Sequence, residues 1–179
     1  VGFKNSTEGS VQVAVDAVLT AASPHWFPGV TKEGVSAIFH TTGNDACHVI
    51  LRGGTQTGPN YDTRHVSDVC ARLSAKGRRD RVMIDCSHGN SLKDHRKQAG
   101  VASAVCVQVA SGSWHIFGAM LESHLVEGRQ DYVPGHPARY GQSITDACLS
   151  LEQTEPLLAQ FSAAQQARGG ERNAHPRRD

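Results

Sequence analysis

A chain of 179 residues, 39% hydrophobic and 20% charged, has the make-up of one globular domain. Its 18 Lys and Arg against 17 Asp and Glu leave a formal charge of +1, which excludes a general electrostatic pull toward nucleic acid or a membrane surface, so any anion site must be local. The 5 cysteines, Cys47, Cys70, Cys86, Cys106 and Cys148, are odd in number and free of any CxxC pair, which argues against a disulfide framework or a zinc knuckle and points to a reducing, cytoplasmic setting.

Val1-Gly2-Phe3-Lys4 reads as a short apolar strand ending in a charge, met in mid-fold because no Met precedes it. From Ser10, the residues Val11, Ala14, Val15, Val18, Leu19 and Ala22 recur at amphipathic-helix spacing, and Pro24 closes the segment. Val35 to Thr41 and Cys47 to Leu51 are β-rich runs around Gly43-Asn44-Asp45, which suggests a hairpin turn leading into the strand His48-Val49-Ile50-Leu51. A helix with Val66, Val69, Cys70 and Leu73 on one face follows, then a polar break at Lys76 to Asp80 and the strand Val82-Met83-Ile84. The next helix, expected to break near Gly100, would bury Val101, Ala104, Val105 and Val109, and a fourth strand, Ile116 to Leu121, delivers Glu122. After a Gly/Pro-rich loop from Gly128 to Gly141, Thr154-Glu155-Pro156 is the expected start of a last helix carrying Leu157, Leu158 and Phe161. Residues 166–179, rich in Gly and Arg, are expected to be a disordered tail. No apolar run approaches the roughly 18 residues a membrane span needs, and no basic-then-apolar leader precedes the first motif, so a soluble protein is expected.

Strand and helix alternate four times, as in a parallel sheet with helical crossovers, and chemistry-capable residues follow each strand: Lys4, Arg52, His88 and Glu122. A (β/α)₈ TIM barrel gathers its active site at that edge but takes ~250 residues. The expected fold is therefore α/β, with residues 1–165 forming about four β/α units of such a barrel plus a hairpin insertion at about 25–47.

Five segments carry a more specific signal: Val1-Gly2-Phe3-Lys4-Asn5, Ile50-Leu51-Arg52-Gly53-Gly54, Asp85-Cys86-Ser87-His88-Gly89-Asn90, Glu122-Ser123-His124-Leu125-Val126-Glu127-Gly128 and Tyr140 to Cys148. In order and spacing the chain, from Val1 to about Leu158, resembles the C-terminal half of the class I 3-deoxy-D-arabino-heptulosonate 7-phosphate synthases. The resemblance implies a metal-dependent transferase of the shikimate pathway to the aromatic amino acids, condensing phosphoenolpyruvate with erythrose 4-phosphate. It implies His88, Glu122 and Asp146 as ligands of a divalent metal, and imidazole with carboxylates suits Mn²⁺, Fe²⁺, Co²⁺ or Zn²⁺. It also implies Lys4 and Arg52 as the phosphoenolpyruvate cations, Lys4, Arg52 and His88 as the catalytic set, and Asp146 as a contact of erythrose 4-phosphate. Taken alone, His88 could be a satisfied core or surface histidine, Glu122 an ion-pair residue with Glu127 as its rival, and Asp146 a helix N-cap.

Two glycines after Arg52 let a ligand approach the backbone, and its planar fork suits a bidentate oxyanion contact. The family's metal thiolate and its Lys-Pro-Arg segment have no counterpart here. Cys86 shares a strand side with His88, yet the resemblance gives it no metal role and it is read as packing. The segment His25-Trp26-Phe27-Pro28-Gly29 resembles the insertion that helps form an aromatic amino-acid feedback site. Phe27 and Gly29 would border that inhibitor pocket, or else belong to an exposed hairpin with packed aromatics. Two alternatives stand beside this reading: a sibling synthase that uses arabinose 5-phosphate, and a non-catalytic half-barrel kept for regulation or assembly. The isolated chain is expected to be inactive and to associate through its open strand edges, and the full-length protein to be a homo-oligomer.

Overall fold

The computed structural model describes residues 1–174, with side chains through residue 169. Its elements run β1 (Gly2–Lys4), α1 (Gln12–Ala22), β2 (His25–Val30), β3 (Ser36–Thr41), β4 (His48–Leu51), α2 (Thr63–Ala75) and β5 (Val82–Asp85). A 3₁₀ turn (His95–Lys97) then leads into α3 (Gln98–Ala110), β6 (Ile116–Met120), β7 (Ser123–His124), β8 (Val126–Arg129), β9 (Gln142–Ser143), β10 (Leu149–Ser150) and α4 (Leu151–Ala174).

The main sheet has strand order β1-β4-β5-β6 and is parallel throughout. A parallel strand needs a long crossover, and α1 with the hairpin, then α2, then α3 supply the three crossovers in turn. The face covered by the helices carries Val49, Leu51, Val82 and Ile84, each 0% exposed, whereas Met83 on the opposite face is only partly buried. The helices contribute the faces expected of them, Ala14, Val15 and Val18 from α1, Val66, Val69, Cys70 and Leu73 from α2, and Val101, Val105 and Val109 from α3, except that Ala104 is only partly buried and Ala102 is buried instead.

The progression does not stop at four. Beyond Glu122, β7 pairs in parallel with the two-residue β10, the Leu149 N–H donates to the Glu122 carbonyl at 2.9 Å, and α4 follows at once. β10 is thus a fifth strand in the same sense, too short to be visible as a hydrophobic run, and it leads into the fourth helix, since no helix lies between β6 and β10.

Four local expectations are corrected. The hairpin pairs β2 with β3 in antiparallel register from His25↔Thr41 to Val30↔Ser36, so its turn is Thr31 to Val35, not Gly43-Asn44-Asp45. Gly43 (φ 86) only turns the chain toward β4, which is claimed by β1 and β5 because its Val49, Ile50 and Leu51 are apolar enough to fill the middle of the sheet. Helix α3 passes through Gly100 without a break; a single helical glycine costs about 1 kcal/mol, and burial of Gln98, Val101, Ala102 and Val105 outweighs it.

The last helix begins at Leu151 rather than at Thr154. Ser150 and Gln153 form a capping box: the Gln153 N–H donates to Ser150 Oγ at 3.1 Å and the Ser150 N–H to Gln153 Oε1 at 2.8 Å. Pro156 lies inside the helix, early in its course. The first part of the expected disordered tail is also helical. Arg168, 7% exposed, donates from one guanidinium nitrogen to the carbonyls of Ser113 and Ile116 at 2.9 Å each and lies over the Trp114 ring, which ties α4 to the start of β6. Residues 175–179, the rest of that expectation, lie outside the described residues.

Candidate metal and anion site

In a parallel sheet every strand delivers its carboxyl end to the same edge. Lys4 ends β1, Arg52 follows β4, Asp85 ends β5 and Glu122 follows β6, so four polar side chains from distant parts of the chain meet there. Buried asparagines bind these ends together. Asn5 Oδ1 accepts from the Arg52 N–H at 2.8 Å, Asn60 Oδ1 from the Gly53 N–H at 2.8 Å, and Asn90 Nδ2 donates to the carbonyls of Leu51 and Asp85 at 3.0 and 2.8 Å. Gly53 (φ 70) packs so closely on the next loop that a Cβ there would stand 2.4 Å from the Gly89 carbonyl carbon.

The loop after β5 is wound into the left-handed region at three non-glycine residues, His88 (φ 51), Leu92 (φ 56) and Lys93 (φ 60). Such conformations cost about 1 to 2 kcal/mol each. Here they are held by the Lys93 N–H donating to the His88 carbonyl at 2.7 Å and by the Asn90 bonds beneath. The winding turns the His88 ring toward Glu122 and Asp146. His88 Nε2 is 3.4 Å from Glu122 Oε1 and 3.9 Å from Asp146 Oδ2, and one ligand atom from each residue lies within 4.8 Å of the others.

The protonation of His88 follows from its neighbours. Asp85, 0% exposed, accepts from the Ser87 N–H (2.9 Å) and hydroxyl (2.6 Å) on Oδ1, and from Lys4 Nζ (2.7 Å) on Oδ2. His88 Nδ1 is 2.9 Å from the same Oδ2 and 2.7 Å from Ser87 Oγ. The serine proton is already committed to Asp85, so both neighbours of Nδ1 are acceptors and Nδ1 carries the proton. Nε2 then faces the two carboxylates, the arrangement that a carboxylate–histidine–metal chain would use once a cation replaces any proton there. Burial pushes the Asp85 carboxyl up, but the hydrogen bonds from Lys4 and Ser87 outweigh it and hold the group below the usual carboxylate range. Glu122 goes the other way: burial raises it, His88 opposes the rise, and Asp146 and Asp85 add to it. Two carboxylates and an imidazole nitrogen, with their donor atoms a few Å apart, fit one divalent cation, whose ligands at ~2.1 Å stand roughly 3 to 3.5 Å from each other.

Beside this triad lies a cavity of about 480 Å³, lined among others by Arg52, His88, Lys93, Glu122, Arg129 and Asp146. Arg129 is engaged by Asp131 and the Thr145 carbonyl, whereas the Arg52 guanidinium and the Lys93 ammonium have no hydrogen-bond or ion-pair partner among the described residues. Cations left unpaired at the rim of a concave site are the condition for taking up an anion. A larger cavity of about 590 Å³ between β6, α3 and α4 is apolar, lined by groups such as Val105, Leu158 and Phe161, and holds none of these polar side chains.

The structure thus brings Arg52, His88, Glu122 and Asp146 around one space. Lys4 is anchored just behind, on Asp85, and Phe27 and Gly29 stand apart in the β2–β3 sheet. There the Phe27 and Phe39 rings stack at 5.7 Å and a Cβ on Gly29 would meet the Phe39 ring at 2.8 Å. Glu127, the rival of Glu122, is held by His95 Nε2 at 2.9 Å. Cys86 is 0% exposed, and burial pushes its thiol up to about 12, the state of a packing residue. Sequence reasoning did not single out Asp85, Gln98 or Lys93. A charged residue closing the apolar run Val82-Met83-Ile84 was the available sign for Asp85; Gln98 and Lys93 had none.

This combination defines a TIM-barrel-like α/β protein with a donor set for a divalent metal at the carboxyl edge of its parallel strands. The chain belongs to the DAHP synthetase I family, whose model matches residues 1–159. It is 56% identical over 168 residues to the phospho-2-dehydro-3-deoxyheptonate aldolase of Haemophilus influenzae, covering 94% of this chain and 46% of that protein. The Phe-sensitive aldolase of Escherichia coli K12 is 51% identical over 170 residues, covering 95% and 48%. The solved structure of the Francisella tularensis aldolase superposes with a TM-score of 0.88 at 51% identity, covering 93% of this chain and 48% of that one. The chain spans about half the length of the relatives it matches. Among the described residues no helix is long and apolar enough to cross a membrane.

Proposed function

We propose that this chain carries the metal-binding and part of the anion-binding machinery of a 3-deoxy-7-phosphoheptulonate synthase, which condenses phosphoenolpyruvate with erythrose 4-phosphate and releases phosphate. In this reading residues 1–165 are the C-terminal half of the catalytic barrel. The observation that carries it is the convergence of His88, Glu122 and Asp146 beside the unpaired Arg52 guanidinium. The names of the similar aldolases support the substrate class.

His88 through Nε2, Glu122 and Asp146 would hold the metal, which when bound polarises the aldehyde of the sugar phosphate as a Lewis acid. Arg52 offers a planar pair of donors to one oxyanion of phosphoenolpyruvate, and Lys4 a point charge to another once its hold on Asp85 is shared. Asp146, 74% exposed at its side chain, would be the ligand that touches erythrose 4-phosphate as well, and its exposure supports that role. The C3 methylene of phosphoenolpyruvate attacks the aldehyde carbon, charge builds on the aldehyde oxygen and C2 becomes cationic; water adds at C2 and phosphate departs by C–O cleavage, while Arg52 and Lys4 hold the substrate oxyanions in place.

The test uses the protein expressed from its whole reading frame, with release of phosphate and consumption of phosphoenolpyruvate followed together. Turnover with erythrose 4-phosphate in the presence of Mn²⁺, lost on chelation and in His88→Ala, is expected. Turnover with arabinose 5-phosphate in its place would favour the sibling synthase, and binding of metal without turnover of either aldose would favour a non-catalytic module.

A second reading concerns regulation. Relatives are named Phe-sensitive, tyrosine-inhibited and Trp-sensitive. Phe27, stacked on Phe39, and Gly29, whose bare backbone meets that ring, would border the pocket for an aromatic amino acid. Inhibition assays with Tyr, Phe and Trp on the whole protein test it, and no response to any of them refutes it.

A further inference from the structure

One carboxylate oxygen in the site serves two masters. Asp85 Oδ2 accepts both from Lys4 Nζ (2.7 Å) and from His88 Nδ1 (2.9 Å), while Oδ1 is saturated by Ser87. Asp85 is fully buried and out of reach of bulk water, so its charge is answered by these four donors alone. The Lys4 side chain is 35% exposed and belongs, in the function proposed above, to the anion pocket; His88 belongs to the metal triad.

We propose that Asp85 is a positioning residue that couples the two halves of the site, so that a cation on His88 Nε2 raises the affinity of the anion pocket. A cation at Nε2 withdraws density from the ring and strengthens the Nδ1–H bond to Asp85 Oδ2. The oxygen then has less charge to offer Lys4, and the ammonium turns more readily to an incoming oxyanion. Linkage makes the effect reciprocal: an anion that takes Lys4 leaves Asp85 freer to hold His88 in the tautomer that presents Nε2. The inference rests on the functional reading for the place of Lys4 in the anion pocket and for phosphoenolpyruvate as the anion.

Asp85→Asn is the discriminating variant. An amide can accept on one side only, whereas Asp85 receives the Ser87 N–H on one side and Lys4 on the other, and neither of those donors can reverse. In the protein expressed from its whole reading frame, Mn²⁺ and phosphoenolpyruvate are titrated calorimetrically, each in the absence and presence of the other. The wild type should bind phosphoenolpyruvate at least about fivefold more tightly with Mn²⁺ than without. Asp85→Asn should bind Mn²⁺ about 10- to 100-fold more weakly, while its metal-free affinity for phosphoenolpyruvate holds or rises, because Lys4 is released. A merely destabilised fold would lower both affinities together, so a parallel loss overturns the proposal, as does an unchanged coupling factor. Should the variant not fold, ¹⁵N NMR of the wild-type imidazole decides: a proton on Nδ1 in the metal-free protein, with its resonance moving on addition of phosphoenolpyruvate, supports the link, and a proton on Nε2 or an unmoved resonance overturns it. Condensation is assayed in parallel, so that absence of turnover with an intact Mn²⁺–phosphoenolpyruvate linkage counts against the proposed reaction and not against Asp85.

Discussion

Gln98 is the most informative residue to remove, because a buried side chain at the start of α3 acts as a strand partner for Glu122. It is 0% exposed; its Oε1 accepts from the Glu122 N–H at 2.8 Å and its Nε2 donates to the Glu122 carbonyl at 3.2 Å. The carbonyl keeps a second partner, the Leu149 N–H at 2.9 Å, but no other acceptor for the Glu122 N–H is present among the described residues. In Gln98→Ala the orphaned amide costs about 1 to 3 kcal/mol and the lost carbonyl bond adds under about 1 kcal/mol. A total near 2 kcal/mol corresponds to a fall in Tm of about 4 to 8 °C for a chain of this size. Because the same two bonds aim the Glu122 carboxylate, Mn²⁺ affinity should fall by about 10-fold or more. Urea unfolding and calorimetric titration of Mn²⁺ measure the two effects. Gln98→Leu, similar in size and without polar atoms, should behave like the alanine variant. If either variant kept wild-type stability and Mn²⁺ affinity, the idea that this amide positions Glu122 would be refuted.

Gly53→Ala forces a side chain onto backbone at 2.4 Å with φ at 70, so a loss of at least about 3 kcal/mol is expected by urea unfolding. Leu51→Ala, at a fully buried position in the central strand, should cost roughly 3 to 5 kcal/mol in the same measurement. Asp62 caps α2 by accepting from the His65 N–H at 3.0 Å, and Asp62→Ala should cost about 1 kcal/mol at pH 7. Burial pushes the Asp62 carboxyl up, while the hydrogen bonds and charge from His65 and the Arg64 N–H together outweigh it and hold the group low. Its contribution is therefore complete above the unfolded value near ~3.9 and disappears as pH falls through the lower folded value. Wild type and Asp62→Ala should converge in stability below that range, and a difference that persisted there would contradict the capping account.

Much of this protein was legible in its sequence because the signals are local and periodic. The helical faces of α1 and α2, the apolar runs of β4 and β5 and the motif residues at strand ends depend on near neighbours in the chain, and the elements formed within a residue or two of expectation. Where a competing local signal existed, it misled: Gly100 suggested a break, Thr154 and Pro156 a helix start, and Gly43-Asn44-Asp45 a hairpin turn. Burial of α3, the Ser150–Gln153 capping box and the demand of β1 and β5 for a central partner decided otherwise.

What only the tertiary structure decided is the set of relationships across the sheet edge. The sequence by itself determined that Lys4, Arg52, His88 and Glu122 each stand at or just after the end of a strand, and the family pattern added Asp146. That Asp85 grips both Lys4 and His88, that Gln98 reaches across to Glu122, and that the left-handed loop at His88 turns its Nε2 toward the carboxylates are matters of contact between residues far apart in the chain. No period or composition encodes them, because a buried polar side chain is chosen by the donors and acceptors that folding leaves around it, and those come from other strands.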